Sequence, residues 1–181
     1  MRISGGRARG VRLKVPAGAR PAAERVRQAI FSSLGERVEG ATVLDLYCGS
    51  GAYALEALSR GAAKAVGVDS NAKAIAAANA NAGAAGMNDD ATFVKRDAAS
   101  FVGSDARREP FDLVFCDPPY ADTDVAPLFA RLRDVLAPGA LVVLEERFAP
   151  GEPRVPSGYI LVADRRYGDT RILMFRHEGG A

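Results

Sequence analysis

The chain of 181 residues is 48% apolar and 25% charged, with a net charge of only +2. That length fits one domain with a self-sufficient core, and the composition excludes a disordered linker or tail. No apolar run approaches the roughly 20 residues that span a bilayer, and the N-terminus lacks the apolar centre of a signal peptide. We therefore expect a single domain over residues 1–181, located in the cytoplasm and without a membrane partner.

Positive charge is concentrated near the N-terminus. Residues 1–27 hold eight Arg or Lys and one acid, so they carry +7 while the remainder carries about −5. Residues 1–20, called the basic arm below, mix glycines with alternating basic and apolar residues, which predicts a flexible start and a short strand or hairpin. In the next segment Val26, Ile30 and Leu34 recur at helical spacing after Pro21, which predicts a helix over 21–35.

From residue 41 onward, short apolar runs alternate with helical patterns. Continuous apolar runs are typical of parallel strands buried on both faces, and strand and helix units in alternation predict a doubly wound α/β sheet over 41–181. Two later runs joined by Gly168-Asp169 predict an antiparallel hairpin at one edge. The predicted strands are 42–47, 65–69, 91–94, 111–116, 141–144, 159–165 and 171–176, and the helical patterns are 51–60, 71–83 and 125–136.

A glycine-containing turn follows the first predicted strand, in Asp45-Leu46-Tyr47-Cys48-Gly49-Ser50-Gly51. In open α/β sheets ligands bind at the carboxyl ends of the strands, where glycines let the backbone approach closely. This turn also fits a nicotinamide-binding oxidoreductase, for which an acid such as Asp69 at the end of the second strand is expected. Asp45, however, would repel a pyrophosphate and attract the ammonium group of a methionine moiety.

Two further acids stand at successive strand ends. Asp69 could accept hydrogen bonds from two ribose hydroxyls, and Asp97 from an adenine amino group, with the Ala98 N–H facing a ring nitrogen. Each acid alone would more often be a helix cap or a surface charge. Together with Asp45 they favour S-adenosylmethionine as the cofactor.

The motif Asp117-Pro118-Pro119-Tyr120 follows the fourth predicted strand. The prolines make the turn rigid, so that Asp117 and the Pro118 carbonyl can accept hydrogen bonds from an exocyclic amino group and stabilise the charge that develops on its nitrogen. Tyr120 offers a ring on which a base can stack. The alternative is a structural proline turn capped by Asp117.

The glycine turn, the following Leu55-Glu56-Ala57-Leu58-Ser59-Arg60-Gly61-Ala62 and the 117–120 motif resemble the class I methyltransferases that modify amino groups. Further matches to the RsmD family are Arg2-Ile3-Ser4-Gly5-Gly6, the segment from Arg20-Pro21 to Phe31, Asn81 before Gly86, and Tyr167-Gly168-Asp169-Thr170-Arg171. Two departures are Ala22, where the family usually has threonine, and Ala54, where it usually has a further glycine.

This resemblance implies a Rossmann-like, seven-stranded class I methyltransferase that uses S-adenosylmethionine, without a metal, to methylate guanine N2 in 16S ribosomal RNA, of the position-966 type. The implied substrate is RNA within a 30S subunit or an assembly intermediate, and the protein is expected to be a monomer. The implied catalytic residues are Asp117, Pro118, Pro119 and Tyr120, and the implied cofactor-binding residues are Asp45, Tyr47, Gly49, Gly51, Asp69, Ser70, Asp97 and Ala98.

The basic arm suits RNA, because its cations can neutralise phosphates and its guanidinium planes can stack on unpaired bases. The candidates are Arg2, Arg7, Arg9, Arg12, Lys14, Arg20 and Arg25, and Arg27 could extend the same surface. The alternative is a solvated basic terminus. Other functions left open are a DNA adenine methyltransferase, the oxidoreductase, and an RNA-binding module without turnover.

Three residues are not expected to take part in chemistry. Cys48 and Cys116 are interpreted as small buried hydrophobic residues. His177, the only histidine, is expected in the tail beyond the last strand.

Overall fold

A computed structural model describes residues 1–15, 24–104, 110–119 and 124–179. Helix α1, Glu24–Leu34, is followed by a 3-10 helix, Gly35–Val38. The predicted helix over 21–35 is therefore confirmed from residue 24 onward, while residues 21–23 lie outside the described residues. Arg20 and Tyr120, predicted as site residues, also lie outside them.

Strands and helices alternate through the rest of the chain, as the sequence predicts. In chain order the elements are β1 (Thr42–Leu46), α2 (Ala52–Ser59), β2 (Lys64–Asp69), α3 (Ala72–Ala85), β3 (Ala91–Lys95), α4 (Ala98–Ser104), β4 (Phe111–Cys116), α5 (Ala126–Leu132), β5 (Leu136–Arg147), β6 (Tyr159–Tyr167) and β7 (Thr170–His177).

All seven strands form one sheet in the order β3-β2-β1-β4-β5-β7-β6. The first five strands along the chain pair in parallel, and β7 pairs antiparallel with both β5 and β6. This confirms the doubly wound α/β sheet with a C-terminal antiparallel hairpin. Because strand order reverses between β1 and β4, their carboxyl ends form the crevice in which such sheets bind ligands.

Two layers of apolar side chains cover the sheet, one on each face. Val43, Phe115 and Val143 point to the face covered by α1, α2, α3 and the basic arm. Leu44, Val114 and Val142, each adjacent to one of these residues in its strand, point to the face covered by α4 and α5. Burial on both faces explains why these strands read as continuous apolar runs.

The structure differs from the predicted secondary structure chiefly in three places. Helix α4 was not predicted; it is short and begins directly after Asp97, whose side chain accepts from the Ser100 N–H at 2.9 Å. Strand β5 begins at Leu136, which the helical pattern had included, because α5 ends at Leu132 and a 3-10 turn follows. His177 is not in a tail: it is the last residue of β7, pairs with Tyr159 and is buried.

The basic arm forms a hairpin-like loop packed on α2. Arg2 and Arg12 pair across it, and the Ile3 N–H donates to the Val11 carbonyl at 3.0 Å. At its tip the Arg7 N–H donates to the Ser59 carbonyl at 2.7 Å. Since Ser59 ends a helix that returns to the start of the next strand, this tip lies at the amino-terminal edge of the sheet.

A buried ion pair fixes the arm to the domain. Glu56 and Arg27 are both fully buried, with 3.1 Å between Arg27 Nε and Glu56 Oε2. Arg27 also donates to the Arg2 carbonyl, and Glu56 accepts from Ser4 N–H at 2.8 Å. The expectation that Arg27 extends an RNA-binding surface is therefore wrong, because its guanidinium is enclosed by these partners.

Candidate active site at the carboxyl edge of the sheet

The glycine turn after β1 joins the ends of β1 and β2. The Gly49 N–H donates to Asp69 Oδ2 at 2.9 Å, and the Cys48 N–H donates to the Val68 carbonyl at 3.0 Å. Tyr47, directly before them, takes a left-handed conformation with φ 60° and is half-buried. Backbone strain of this kind at a non-glycine residue is concentrated at functional sites.

The two glycines of the turn serve different purposes. At Gly51, φ is 78° and an added Cβ would lie 2.7 Å from the Phe93 ring, so this glycine is needed for packing. At Gly49, φ is 53° and an added Cβ would meet nothing within 4 Å. The space over Gly49 is thus open at the carboxyl edge, which is where a bound group could approach the backbone.

Asp45 lies under this turn and is 2% exposed. Its Oδ2 accepts from the Ala54 N–H, in the first turn of α2, at 3.0 Å. Burial raises the pKa of Asp45 to about 8; the Ala54 hydrogen bond lowers it, while the charges of Asp117 and Asp69 raise it further. A positively charged ligand group beside Asp45 would offset that burial cost.

The other predicted cofactor-binding residues lie at the neighbouring strand ends. Asp69 Oδ1 accepts from the Asn71 N–H at 2.8 Å, and Ser70 between them is exposed. Asp97 is exposed, its pKa is lowered chiefly by the hydrogen bond from the Ser100 N–H, and the adjacent Ala98 is buried. Both acids therefore also shape the backbone at the start of the following helix. The burial of Tyr47 raises its pKa to about 12.

The Asp117-Pro118-Pro119 turn begins where β4 ends. Asp117 is half-buried, Pro118 is buried and Pro119 is exposed. Leu46, at the end of β1, pairs with Cys116. The turn after β4 therefore starts beside the glycine turn after β1, and the charge of Asp117 acts on Asp45. The structure thus brings the predicted catalytic turn and the predicted cofactor turn to one place.

Sequence reasoning missed two residues of this edge, Tyr53 and Glu145. The Tyr53 hydroxyl donates to Glu145 Oε2 at 2.8 Å, and both side chains are buried. Burial raises the pKa of Tyr53 well above its usual range, and the negative charge of Glu145 raises it further. An acid inside an apolar strand pattern, directly after Leu144, was the available signal for Glu145.

A cavity of about 930 Å³ opens beside the Asp117-Pro118-Pro119 turn. It is lined by Pro118 and Pro119, by Leu144 of β5 and its pairing partner Leu173 of β7, and by most of residues 146–157. Its volume is within the range of small-molecule sites, and it joins apolar walls to charged groups.

Arg171 fixes the loop that forms the outer wall. It is 6% exposed and donates to both oxygens of Asp164, at 2.9 and 2.6 Å. The same guanidinium donates to the carbonyls of Ala149 at 3.2 Å and Gly151 at 3.0 Å. The loop is therefore held by charge-assisted hydrogen bonds from a buried guanidinium in addition to its own prolines.

The predicted RNA-binding residues do not surround this cavity as one group. Arg2, Arg9, Arg12, Lys14 and Arg25 are exposed. Arg7 forms an ion pair with Asp90 at 2.7 Å, just before β3 begins and thus at the amino-terminal edge. The Lys14 N–H donates to Asn81 Oδ1 at 2.8 Å, and Asn81 donates to the Ser50 carbonyl. The arm thus runs from the glycine turn to the opposite edge.

Cys48 and Cys116 are both buried with free thiols, which confirms their interpretation as packing residues. Burial raises the pKa of both thiols, so neither is activated as a nucleophile. Over the ranges that the structure describes, no three His, Cys, Asp or Glu side chains are placed to hold a metal ion. In those same ranges, no helix has the length and apolar character to cross a membrane.

The chain is similar over nearly its whole length to known proteins. The family model for conserved hypothetical protein 95 matches residues 1–176. Ribosomal RNA small subunit methyltransferase D of Escherichia coli is 33% identical over 98% of this chain and 90% of its own length. The solved structure of yhhF from Escherichia coli is 32% identical, with a TM-score of 0.89 and 99% of both chains covered.

A more distant structure shows the same fold. It is an RNA methyltransferase from Salinibacter ruber in complex with S-adenosyl-L-homocysteine, 17% identical, with a TM-score of 0.70 over 90% of this chain and 96% of that one. The family model and the E. coli relative both match nearly the whole chain, and this extent shows the family to which the chain belongs. This chain belongs to the conserved hypothetical protein 95 family, the RsmD family of ribosomal RNA methyltransferases.

Proposed function

We propose that this protein transfers a methyl group from S-adenosylmethionine to the N2 amino group of a guanine in 16S ribosomal RNA. The observation that carries the proposal is the meeting of the Asp117-Pro118-Pro119 turn with the glycine turn at one edge of the sheet, beside a cavity large enough for a nucleotide. The E. coli relative is named as a small-subunit ribosomal RNA methyltransferase, which supports this substrate.

The open space over Gly49 and the acids Asp45 and Asp69 fit S-adenosylmethionine. Asp45 would face its ammonium group, which compensates for the buried carboxylate, and Asp69 would accept from its ribose hydroxyls. When bound, this group supplies a methyl on a positively charged sulfur. The residues of the chain then have to position the attacking amine, because the electrophile is already activated.

Asp117 and the Pro118 carbonyl perform that positioning. The N2 amine of guanine is a weak nucleophile because its lone pair is delocalised into the ring. Hydrogen bonds from both of its hydrogens to these two acceptors favour a pyramidal nitrogen and stabilise the positive charge that forms there as the bond to the methyl carbon forms and the carbon–sulfur bond breaks. S-adenosylhomocysteine is the leaving group, and the methylated nitrogen becomes neutral by giving up one proton to Asp117 or to solvent. The rigid proline turn holds the acceptors in place before the base arrives.

The target base has to leave its stack to reach this turn, and the cavity beside Pro118 and Pro119 is the space we assign to it. Exposed cations of the basic arm, such as Arg12 and Lys14, are proposed to contact phosphates of the same RNA. If Arg12 and Lys14 contact phosphates, the affinity of an Arg12→Gln, Lys14→Gln variant for RNA should depend less steeply on salt concentration than that of the wild-type protein.

The test compares wild-type protein with Asp117→Ala. Methyl transfer from labelled cofactor to 16S ribosomal RNA should fall by at least about 100-fold, the usual effect of removing a transition-state acceptor. Affinity for S-adenosylhomocysteine, measured by calorimetry, should stay within about twofold, since Asp117 faces the base. Asp112→Ala, an exposed aspartate at the other end of β4, is the control. Unchanged turnover in Asp117→Ala would refute the mechanism.

A further inference from the structure

Glu145 is a buried acid next to the catalytic turn that the methyl-transfer mechanism above does not use. It follows Leu144, which pairs with Cys116, the residue before Asp117. Glu145 and Asp117 therefore take corresponding positions on neighbouring strands, whose spacing is about 4.8 Å. Glu145 is 4% exposed and borders the cavity together with Pro118. An acid is thus placed at the edge of the base site, one strand away from the proposed amine acceptor.

The Glu145 carboxylate is held in one orientation. Tyr53 donates to its Oε2 at 2.8 Å. The Tyr53 ring in turn stacks on Phe115, with ring centres 4.8 Å apart and an angle of 15° between the planes. A buried acid that is held in one orientation at the border of a cavity is a candidate for ligand recognition.

The chemistry of guanine matches two acceptors placed side by side. Its N1–H and its N2 amino group are neighbouring donors on one edge of the base, whereas adenine presents an acceptor at N1. We propose that Glu145 accepts a hydrogen bond from N1–H of the target guanine while Asp117 accepts from the N2 amine. This inference rests on the proposed function, and it makes Glu145 a specificity-determining residue that selects guanine among the purines.

The test uses two RNA substrates that differ at one base. One carries guanine at the target position, and the other carries 2-aminopurine, which keeps the amino group at C2 but has a bare acceptor at N1. The wild-type protein should favour guanine by about 10- to 100-fold in kcat/KM, the usual discrimination from one base contact. Because the two amines differ in intrinsic reactivity, the decisive quantity is how this ratio changes in a variant.

Glu145→Gln is the decisive variant, since its amide can accept from Tyr53 and can also donate to the bare N1 of 2-aminopurine. It should lower kcat/KM for guanine by about 10- to 100-fold and raise that for 2-aminopurine, so that the preference collapses. Glu36→Gln, at an exposed position in the 3-10 helix after α1, is the matched control and should keep the wild-type ratio. Binding of S-adenosylhomocysteine by each variant verifies that the domain is folded.

Two results would overturn the inference while leaving the proposed function intact. One is equal affinity of the wild-type protein, with S-adenosylhomocysteine bound, for the two RNAs, a comparison that needs no variant and does not depend on the reactivity of the amine. The other is a Glu145→Gln protein that loses activity on both RNAs in proportion, since a purely structural role predicts no change in preference. A wild-type protein that methylates neither RNA would instead refute the proposed function, and this inference with it.

Discussion

Replacing Asp45 with asparagine should stabilise the protein at neutral pH and weaken its binding of the cofactor. Asp45 is 2% exposed, and burial raises its pKa from 3.8 to about 8. The carboxyl group of the unfolded chain releases its proton near pH 3.8, whereas the folded protein retains it until about pH 8. Between these two pH values the folded state binds one more proton than the unfolded state.

The sign and size of the effect follow from this proton. When the folded state binds the extra proton, the free energy of unfolding falls as pH rises, by about 1.4 kcal/mol per pH unit. At pH 7 the accumulated loss is on the order of 4 kcal/mol, and it levels off above pH 8. Asparagine has nearly the same shape and can accept from the Ala54 N–H, but it does not ionise, so it escapes this loss.

The assay is urea unfolding of wild-type protein and Asp45→Asn at pH 5 and pH 7. The variant should be more stable at both, and its advantage should grow by about 3 kcal/mol between them. Asp89→Asn, at an exposed position, controls for removing one negative charge. An advantage that does not change with pH, or a variant less stable than wild type at pH 7, would contradict an Asp45 that keeps its proton in the folded protein. Calorimetry should show weaker S-adenosylhomocysteine binding by Asp45→Asn and unchanged binding by Asp89→Asn.

Two further substitutions test the site and the core. Gly49→Ala and Gly86→Ala both place a side chain at positive φ with no clash, so each variant should lose about 1 kcal/mol of stability. Only Gly49→Ala should also weaken S-adenosylhomocysteine binding in calorimetry, by about tenfold or more, because only Gly49 lies in the proposed cofactor site. Arg27→Met removes one of the two cations that contact the buried Glu56 and leaves only Arg60, so it should lower the free energy of urea unfolding by about 3 kcal/mol. Arg25→Met, on the exposed side of α1, should change it by less than about 0.5 kcal/mol. Equal cofactor affinity in the two glycine variants, or equal stability of the two arginine variants, would contradict these accounts.

The fold could be predicted because its strands are buried on both faces. Runs such as 111–116 are apolar throughout, and a parallel sheet is the usual structure that hides both sides of such a strand. The strand ends then fix which residues meet, which is why Asp45, Asp69 and Asp117 could be assigned to one edge from their positions alone.

Charged residues whose partners are distant in the chain could not be placed in the same way. Arg27 was grouped with the exposed cations, because nothing in its local pattern reveals Glu56, which lies 29 residues further on. Glu145 was missed for the same reason, since its partner Tyr53 is 92 residues away. Buried polar pairs depend on tertiary contacts, and a local sequence pattern carries little information about them.

Element ends were the other weak point. The apolar pattern at 125–136 continues across the junction of α5 and β5, and both elements bury the same residue types, so periodicity does not locate the change at Leu132. His177 was placed outside the sheet because the last predicted strand, 171–176, ends one residue before it. In the structure it completes the pairing with Tyr159.

The most direct test of the central claim is to identify the methylated nucleoside. The protein is incubated with labelled S-adenosylmethionine and either small ribosomal subunits or bare 16S ribosomal RNA from cells lacking this enzyme, and the RNA is digested and analysed by mass spectrometry. We expect N2-methylguanosine at a single site in at least one of the two substrates. Label in another nucleoside, or no label in either substrate from a protein that binds S-adenosylhomocysteine, would contradict it.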